Sequence, residues 1–244
     1  MRYEPDHPAA LFNLFWEGSK LNRRTVRAFA ERLEAHDRLP HDPAELVYPQ
    51  VTALAPATDP LATLSLLRRS ERRFGPAPLS TEKLAALFSA FARRPGGRLL
   101  PSAGGRYPIE VFALLLAAEA PWQGSIVYYD GAKHGLSRVG SCPDEAIWRE
   151  LCNLPEGADR PAAVLVFVGF PSRITERYGE RGGRFLLLEA GHYAQSLGLR
   201  LAFEGLAGYE LGGLYDDPVR DLLGLGGTDA IVTLGYAVGH PATP

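Results

Sequence analysis

The hydrophobic pattern separates a few dense apolar runs from a more polar N-terminal part. Residues 109–117 and 162–170 are almost unbroken apolar runs, and 125–129 and 230–237 are shorter ones. Short apolar runs bounded by turn residues predict strands. A weaker strand is predicted at 135–139, after the turn signal Asp130-Gly131. Residues 182–206 are apolar nearly all round, through Phe185, Leu188, Tyr193, Leu197, Leu201 and Phe203. A helix with no polar face is buried, so this segment is expected at the centre of the molecule. Residues 21–36 have the opposite character. Leu21, Val26, Phe29, Ala30 and Leu33 recur at helical spacing among Arg23, Arg24, Arg27, Glu31 and Arg32. Shorter helices are predicted at 61–69, from Ser80 onward, at 143–151 and at 216–223. Ser80 and Asp216 are placed as N-caps, and Lys83 stands where a capping box has Glu. Pro40, Pro43, Pro49, Pro56 and Pro60 impose an extended arm. Its Leu46, Val47, Tyr48, Val51 and Leu54 offer apolar surface to a partner. Helices interleaved with strands around one apolar helix predict an α+β fold with a central sheet.

Composition narrows the possibilities. The 244 residues are 46% hydrophobic, enough for one sizeable core but cramped for two. The expected division is an N-terminal helix and Pro-rich arm over 1–60, then one domain over 61–244. A net charge of −2 gives no bulk attraction to nucleic acid or an anionic membrane. No apolar run is long enough to span a bilayer. The N-terminal Met1-Arg-Tyr-Glu-Pro-Asp-His7 lacks an apolar signal core, and Cys142 and Cys152 make no disulfide framework. A reducing cytoplasm is therefore expected. No metal is expected either. His36, His41 and His134 share no ligand spacing with the cysteines, and Glu189-x-x-His192 lacks the second copy that a di-iron site needs. Gly224-x-Gly226-Gly227 lacks the strand-then-helix setting of a dinucleotide fingerprint.

Four segments can carry chemistry. Arg68-x-Ser70-x-Arg72-x-Phe74 sets two guanidiniums and a hydroxyl within five residues, a donor set suited to a phosphate. Pro101-Ser-Ala-Gly-Gly-Arg-Tyr-Pro108 is a rigid, small-residue loop at the start of a strand, suited to backbone contact with a planar group. Gly205-Leu-Ala-Gly-Tyr-Glu-Leu-Gly-Gly-Leu214 follows the apolar helix. Gly208 can end that helix, whereas Gly212 and Gly213 lie too far past it to serve as a cap. Arg177-Tyr178-Gly-Glu-Arg181-Gly-Gly-Arg184 combines a phenol with a permanent cation. Arg181 and Arg184 read as helix-face salt-bridge residues.

In this order and spacing, the segments resemble the flavin-dependent nitroreductase superfamily, over about residues 60–239. They are most similar to its SagB-type branch, which oxidises thiazoline and oxazoline rings in peptide natural products. Phe15-Trp-Glu-Gly-Ser-Lys20 is similar to a segment near the start of that branch. The resemblance implies a nitroreductase-like α+β fold: a mostly antiparallel central sheet flanked by helices, a long buried central helix, and an intertwined homodimer. It implies FMN as cofactor. Arg68, Ser70 and Arg72 would meet its phosphate and ribityl chain. Pro101, Ser102, Ala103 and Gly105 would meet the isoalloxazine, often from the second subunit. Leu211, Gly212 and Gly213 would set amides near flavin N5 and O4, where they tune the reduced cofactor. Tyr107 stands where many generic nitroreductases have Gln, which favours the SagB-type branch.

Azoline-oxidising relatives carry a Lys-Tyr pair where this chain has Arg177-Tyr178. Arginine stays protonated and cannot be the base. Tyr178 is then the expected proton-transfer residue and Arg177 its electrostatic support. The family's basic phosphate contact near the C-terminus is missing from Gly239-His-Pro-Ala-Thr-Pro244. The implied activity is FMN-dependent oxidation of a peptide-linked or carrier-linked azoline to the azole, with pathway enzymes as further partners. The alternatives are a generic NAD(P)H-dependent nitro or quinone reductase, and a non-catalytic scaffold subunit of a peptide-modifying complex.

Overall fold

A computed structural model describes residues 7–37, 52–95 and 97–243. The helices are α1 (Ala10–Ser19), α2 (Val26–Asp37), α3 (Pro60–Leu67), α4 (Thr81–Phe88), α5 (Glu145–Leu151), α6 (Ser172–Tyr178), α7 (Glu180–Glu204) and α8 (Asp216–Leu222). The strands are β1 (Arg93–Arg94), β2 (Gly97–Arg98), β3 (Ile109–Leu115), β4 (Ser125–Asp130), β5 (Gly135–Ser141), β6 (Ala163–Gly169), β7 (Ala207–Leu211) and β8 (Ile231–Gly239). β1 and β2 form a small separate ladder. The other six make one antiparallel sheet in the order β5-β4-β3-β6-β8-β7.

Both sheet faces are covered, which explains why the central strands read as continuous apolar runs. Val111, Ala113, Leu115, Leu165 and Phe167 face a core shared with Phe12, Leu84, Phe88, Leu186, Tyr193 and Leu197 of α1, α4 and α7. Phe112, Leu114, Val164, Val166 and Val168 face Trp148 of α5 and Val219 and Leu223 of the α8 side. The predicted strands are all present, with ends shifted by one or two residues. The edge strand β7 and the short β1–β2 ladder were not anticipated.

Several expectations need correction. α2 starts at Val26, not at residue 21, because Asn22 builds a capping turn first. Its Oδ1 accepts from the Arg24 and Thr25 amides at 2.8 and 3.2 Å. α3 ends at Leu67, two residues early, and is capped by Asp59, whose Oδ1 accepts from Ala62 N at 2.9 Å. Ser80 caps α4 as expected, accepting from Lys83 N at 3.2 Å. Gly208 does not end the long helix. It lies in β7, and Gly205 is the left-handed cap, with φ 66°. Asp216 is the first residue of α8 and not its cap, and its carboxylate turns to the Leu21 amide at 2.9 Å.

α7 is not buried all round in the single chain. Leu186, Ala190, Tyr193, Leu197 and Leu201 face the core, while Leu188 and Phe203 are 62% and 69% exposed. Gly191 faces open space, so another chain could approach it closely. Gly198 does not share that role, because Tyr236 Oη and the Arg68 side chain already cover it. Most of the Pro-rich arm lies outside the described residues; within them, Leu54 is exposed.

The N-terminal segment is bound to the core. α1 lies so close to α7 that a Cβ on Gly183 would collide with the Phe12 ring. Glu180 accepts from the Leu11 and Phe12 amides at 2.7 and 2.8 Å. Lys20, mostly buried, pairs with Glu17 and Asp217 at 2.8 and 2.9 Å.

The Asp216 clasp carries a pH signature. Burial pushes its carboxyl up to about 6, against the opposing pull of the Leu21 amide and Lys20. The native pKa lies above the unfolded one. The folded state therefore gains stability as pH falls through 6, and that gain is complete below the unfolded value near 3.9. Asp216→Asn keeps the acceptor for Leu21 and removes the buried charge. It is expected to stabilise the chain by about 1–2 kcal/mol at pH 8 relative to wild type. The advantage should fade below pH 5. Urea unfolding across that range checks both sign and window, and a pH-independent difference would refute the assignment.

Candidate functional site

The sequence-predicted residues gather in two places. The first lies at the β7 edge. The Arg68–Phe74 segment leaves α3 and is tied to β7 by a bond from Glu71 N–H to Gly208 O at 3.0 Å. Four arginines in this segment divide into pairs with different roles. Arg69 pairs with Glu71 at 3.8 Å and Arg73 with Asp159 at 3.4 Å. Among the described residues, Arg68 and Arg72 have no carboxylate partner.

The Arg68 stem lies over Gly198, and the Arg72 guanidinium sits 5.2 Å from the Tyr209 ring. Burial raises the Tyr209 and Tyr236 phenols, with the nearby Arg72 and Arg68 charges acting the other way. A groove of about 350 Å³ runs here, lined by Arg68, Glu71, Gly198, Gly205, Gly208 and Tyr236. That volume is within the range of small-molecule sites. Ser70 is exposed beside it. Further along the same edge, Leu211 is buried and pairs with Gly235. Gly212 faces open space, and Gly213 packs on Asn153.

The second place is the Pro101–Pro108 loop, at the start of β3. Ser102 Oγ accepts the Tyr107 amide at 2.8 Å, and Pro108 O accepts the Phe170 amide at 2.9 Å. Both ends of the loop are thus fixed. Gly104 has φ 59°, and a Cβ there would collide with Tyr178 Oη and crowd Arg177 Nη1 at 3.2 Å. The glycine is what lets the phenol reach the loop. Gly105 is open, while Pro101 is exposed and Ala103 half-buried. Tyr178 packs edge-on against Phe185, with ring centroids 5.1 Å apart, and the Arg177 guanidinium lies 5.3 Å from the Tyr178 ring. Arg177 and Tyr178 therefore meet the loop directly.

Within one chain these two places are far apart. Tyr178 touches α7 at Phe185, and Arg68 touches it at Gly198. Those thirteen positions span about 20 Å of helix. Across the sheet, β3 and β7 are three strand spacings apart, about 14 Å. The structure thus groups Arg68, Ser70, Arg72 and Leu211–Gly213 at one edge. It groups Pro101, Ser102, Ala103, Gly105, Arg177 and Tyr178 at the other, and does not join the groups in a single chain.

One residue was considered in the sequence only as a metal ligand. Glu189 is 2% exposed, on the α7 face beneath the loop. Neither carboxyl oxygen has a hydrogen bond of sound geometry. Burial raises its pKa, although the Ser102 hydroxyl, the Arg98 charge and the Ile109 amide stand near enough to favour the carboxylate. Arg98 itself lies 4.0 Å from the Tyr107 ring. An acid midway along a largely apolar helix was the available signal. The expected salt bridges of Arg181 and Arg184 do not form among the described residues; Arg181 lies instead 6.0 Å from the Phe185 ring. Among those residues no group of three His, Cys, Asp or Glu side chains could hold a metal ion. No helix among them is long and apolar enough to cross a membrane.

Fold and motif order together define an oxidoreductase class, and comparison with known families agrees. Residues 67–240 match the Nitroreductase family, and the chain belongs to that family, whose members typically bind FMN. A Methanocaldococcus jannaschii protein with a nitroreductase name, MJ1384, is 29% identical over 170 residues, 67% of this chain and 83% of that one. The microcin B17-processing protein McbC of Escherichia coli is 31% identical over 122 residues, 47% of this chain and 44% of that one. Among solved structures, the E. coli microcin synthetase McbBCD complex with truncated pro-MccB17 bound contains a similar chain. It has a TM-score of 0.74 and 23% identity, covering 98% of this chain and 95% of that one. A nitroreductase-like protein of Ralstonia eutropha has a TM-score of 0.66 and 23% identity, covering 84% and 100%.

Proposed function

We propose that this chain is an FMN-dependent dehydrogenase of the SagB-type branch that oxidises a thiazoline or oxazoline ring to the azole in a peptide-derived substrate, working as a homodimer. The observation that carries the flavin reading is the division of the arginines at the β7 edge. Arg68, which lines an open groove, and Arg72, over the neighbouring Tyr209 ring, have no carboxylate partner among the described residues, while Arg69 and Arg73 pair with Glu71 and Asp159. The donor set suits a phosphate, and the open Gly212 leaves room for a flat ring against the backbone. When bound, FMN supplies a two-electron acceptor for the substrate's hydride. Arg68, Ser70 and Arg72 hold the phosphate and ribityl chain. The Gly212 and Gly213 amides would lie near the ring, and Pro101, Ser102, Ala103 and Gly105 of a second copy would meet it. Tyr178, as the phenolate that the Arg177 charge would favour, would take the azoline ring proton and end as the neutral phenol. The similarity to McbC, named for microcin B17 processing, supports the azoline choice over a generic NAD(P)H-dependent reductase.

The separation of the two groups supports the dimer reading, since a second copy packed along α7 would bring one chain's loop to the other's arginines. The exposed Leu187, Leu188 and Phe203, with open Gly191 between them, suit that packing. Leu188→Arg is therefore expected to sediment as a monomer at micromolar concentration, to keep its helical circular dichroism and to lose bound FMN. A monomeric wild-type chain that retains FMN would rule out the shared site. The test of the activity is anaerobic bleaching of the flavin. Thiazoline peptides should bleach it without any nicotinamide; bleaching by NADH or NADPH alone would favour the generic reductase.

A further inference from the structure

The rim around Tyr178 carries more positive charge than the proposed reaction uses. Arg177 lies against the Tyr178 ring at 5.3 Å and Arg181 against the Phe185 ring at 6.0 Å. The two rings form one edge-to-face pair. Arg106, in the loop that abuts Tyr178, is exposed, and its Nε donates to the Arg173 carbonyl at 3.0 Å. None of these three has a carboxylate partner among the described residues. The nearby acids are otherwise engaged or turned away. Glu110 pairs with Arg173, Glu180 accepts the Leu11 and Phe12 amides, Glu189 is buried, and exposed Glu176 makes no ion pair with the three. This occurs in a chain with 28 acidic residues against 26 Lys and Arg. Two like charges on one aromatic pair, with a third on the adjoining loop, repel one another and are stabilised when an anion sits among them. The neutral rings offer a flat apolar floor, and planar guanidiniums are matched to an oxyanion.

We infer that the substrate reaching Tyr178 carries an anionic group on or next to its flat ring, held by Arg106, Arg177 and Arg181. The inference rests on the reading of Tyr178 as lying beside the reacting ring. A carboxylate fits it most simply, because a thiazoline closed on a terminal cysteine bears one on the ring itself. Arg106 and Arg181 are then specificity residues and take no proton.

The test reads binding alone, so that it stands apart from turnover. The purified full chain, supplemented with FMN, is titrated by calorimetry with 2-phenylthiazoline-4-carboxylate, its 4-phosphonate and its neutral 4-carboxamide. One or both anions should bind at least about tenfold tighter than the amide. Arg181→Gln and Arg106→Gln should each erase most of that preference while leaving affinity for the amide unchanged. Arg181→Lys should recover part of it. Equal affinity for all three probes, no binding of any, or a preference untouched by both Gln variants would overturn the proposal. Failure to oxidise a thiazoline that does bind with this preference would count against the azoline reading and leave the anion site standing.

Discussion

Tyr178→Phe is expected to lower turnover of a thiazoline substrate by about 10²–10⁴-fold, the usual effect of losing an acid–base group, while flavin content and sedimentation stay as in wild type. The phenol stands where the chemistry needs it. Its oxygen lies against Gly104 of the loop proposed to meet the flavin ring, with Arg177 beside it. Removing one oxygen leaves the edge-to-face packing on Phe185 in place. Arg177→Lys should keep much of the activity, since the charge remains. Gly104→Ala should act like a partial loss of Tyr178. Its Cβ would collide with the phenol oxygen, and its positive φ strains any side chain. Steady-state formation of the azole, followed by absorbance, gives kcat for each variant. Wild-type turnover in Tyr178→Phe would reduce Tyr178 to a packing residue.

The parts of this molecule that were legible in its sequence are those with one dominant physical cause. β3 and β6 are buried on both faces, so their runs are apolar without interruption. Ser80 caps a helix by local chemistry alone. Harder to read were elements defined by distant partners. α1 is held by Glu180 and by a gap at Gly183, neither of which leaves a local signal. β7 exists because β8 offers it an edge; its glycine looks like a helix stop. Asp216 resembled a cap because caps are local, whereas its real partner is Leu21. The outer face of α7 was read as buried because its residues are apolar, yet Leu188 and Phe203 are exposed in the single chain.

The site shows the same division. Its segments could be found one by one, but their separation into two groups is a property of topology. Glu189 was hidden because its setting, beneath a loop eighty residues earlier, appears only after folding.

Replacing both Arg68 and Arg72 by Ala should weaken FMN binding by roughly 10²–10⁴-fold. Each charge-assisted contact to a phosphate contributes about 1.5–3 kcal/mol, and two such losses multiply in the dissociation constant. Arg72 is exposed, so its share belongs at the lower end. Arg68 should carry more, because its stem is fixed between Gly198 and the groove and its head loses little freedom on binding. The neighbouring arginines are the internal control. Arg69→Ala and Arg73→Ala remove charges already paired with Glu71 and Asp159, and should change FMN affinity by less than about threefold. Arg68→Lys should fall between wild type and Ala, since an ammonium keeps the charge but lacks the planar fork. Quenching of FMN fluorescence on titration gives the constants, and raising the salt should narrow the gap between wild type and the double variant. If the double variant binds FMN as tightly as wild type, or if Arg69→Ala and Arg73→Ala cost as much as Arg68→Ala and Arg72→Ala, the phosphate lies elsewhere and the division among the arginines has another cause.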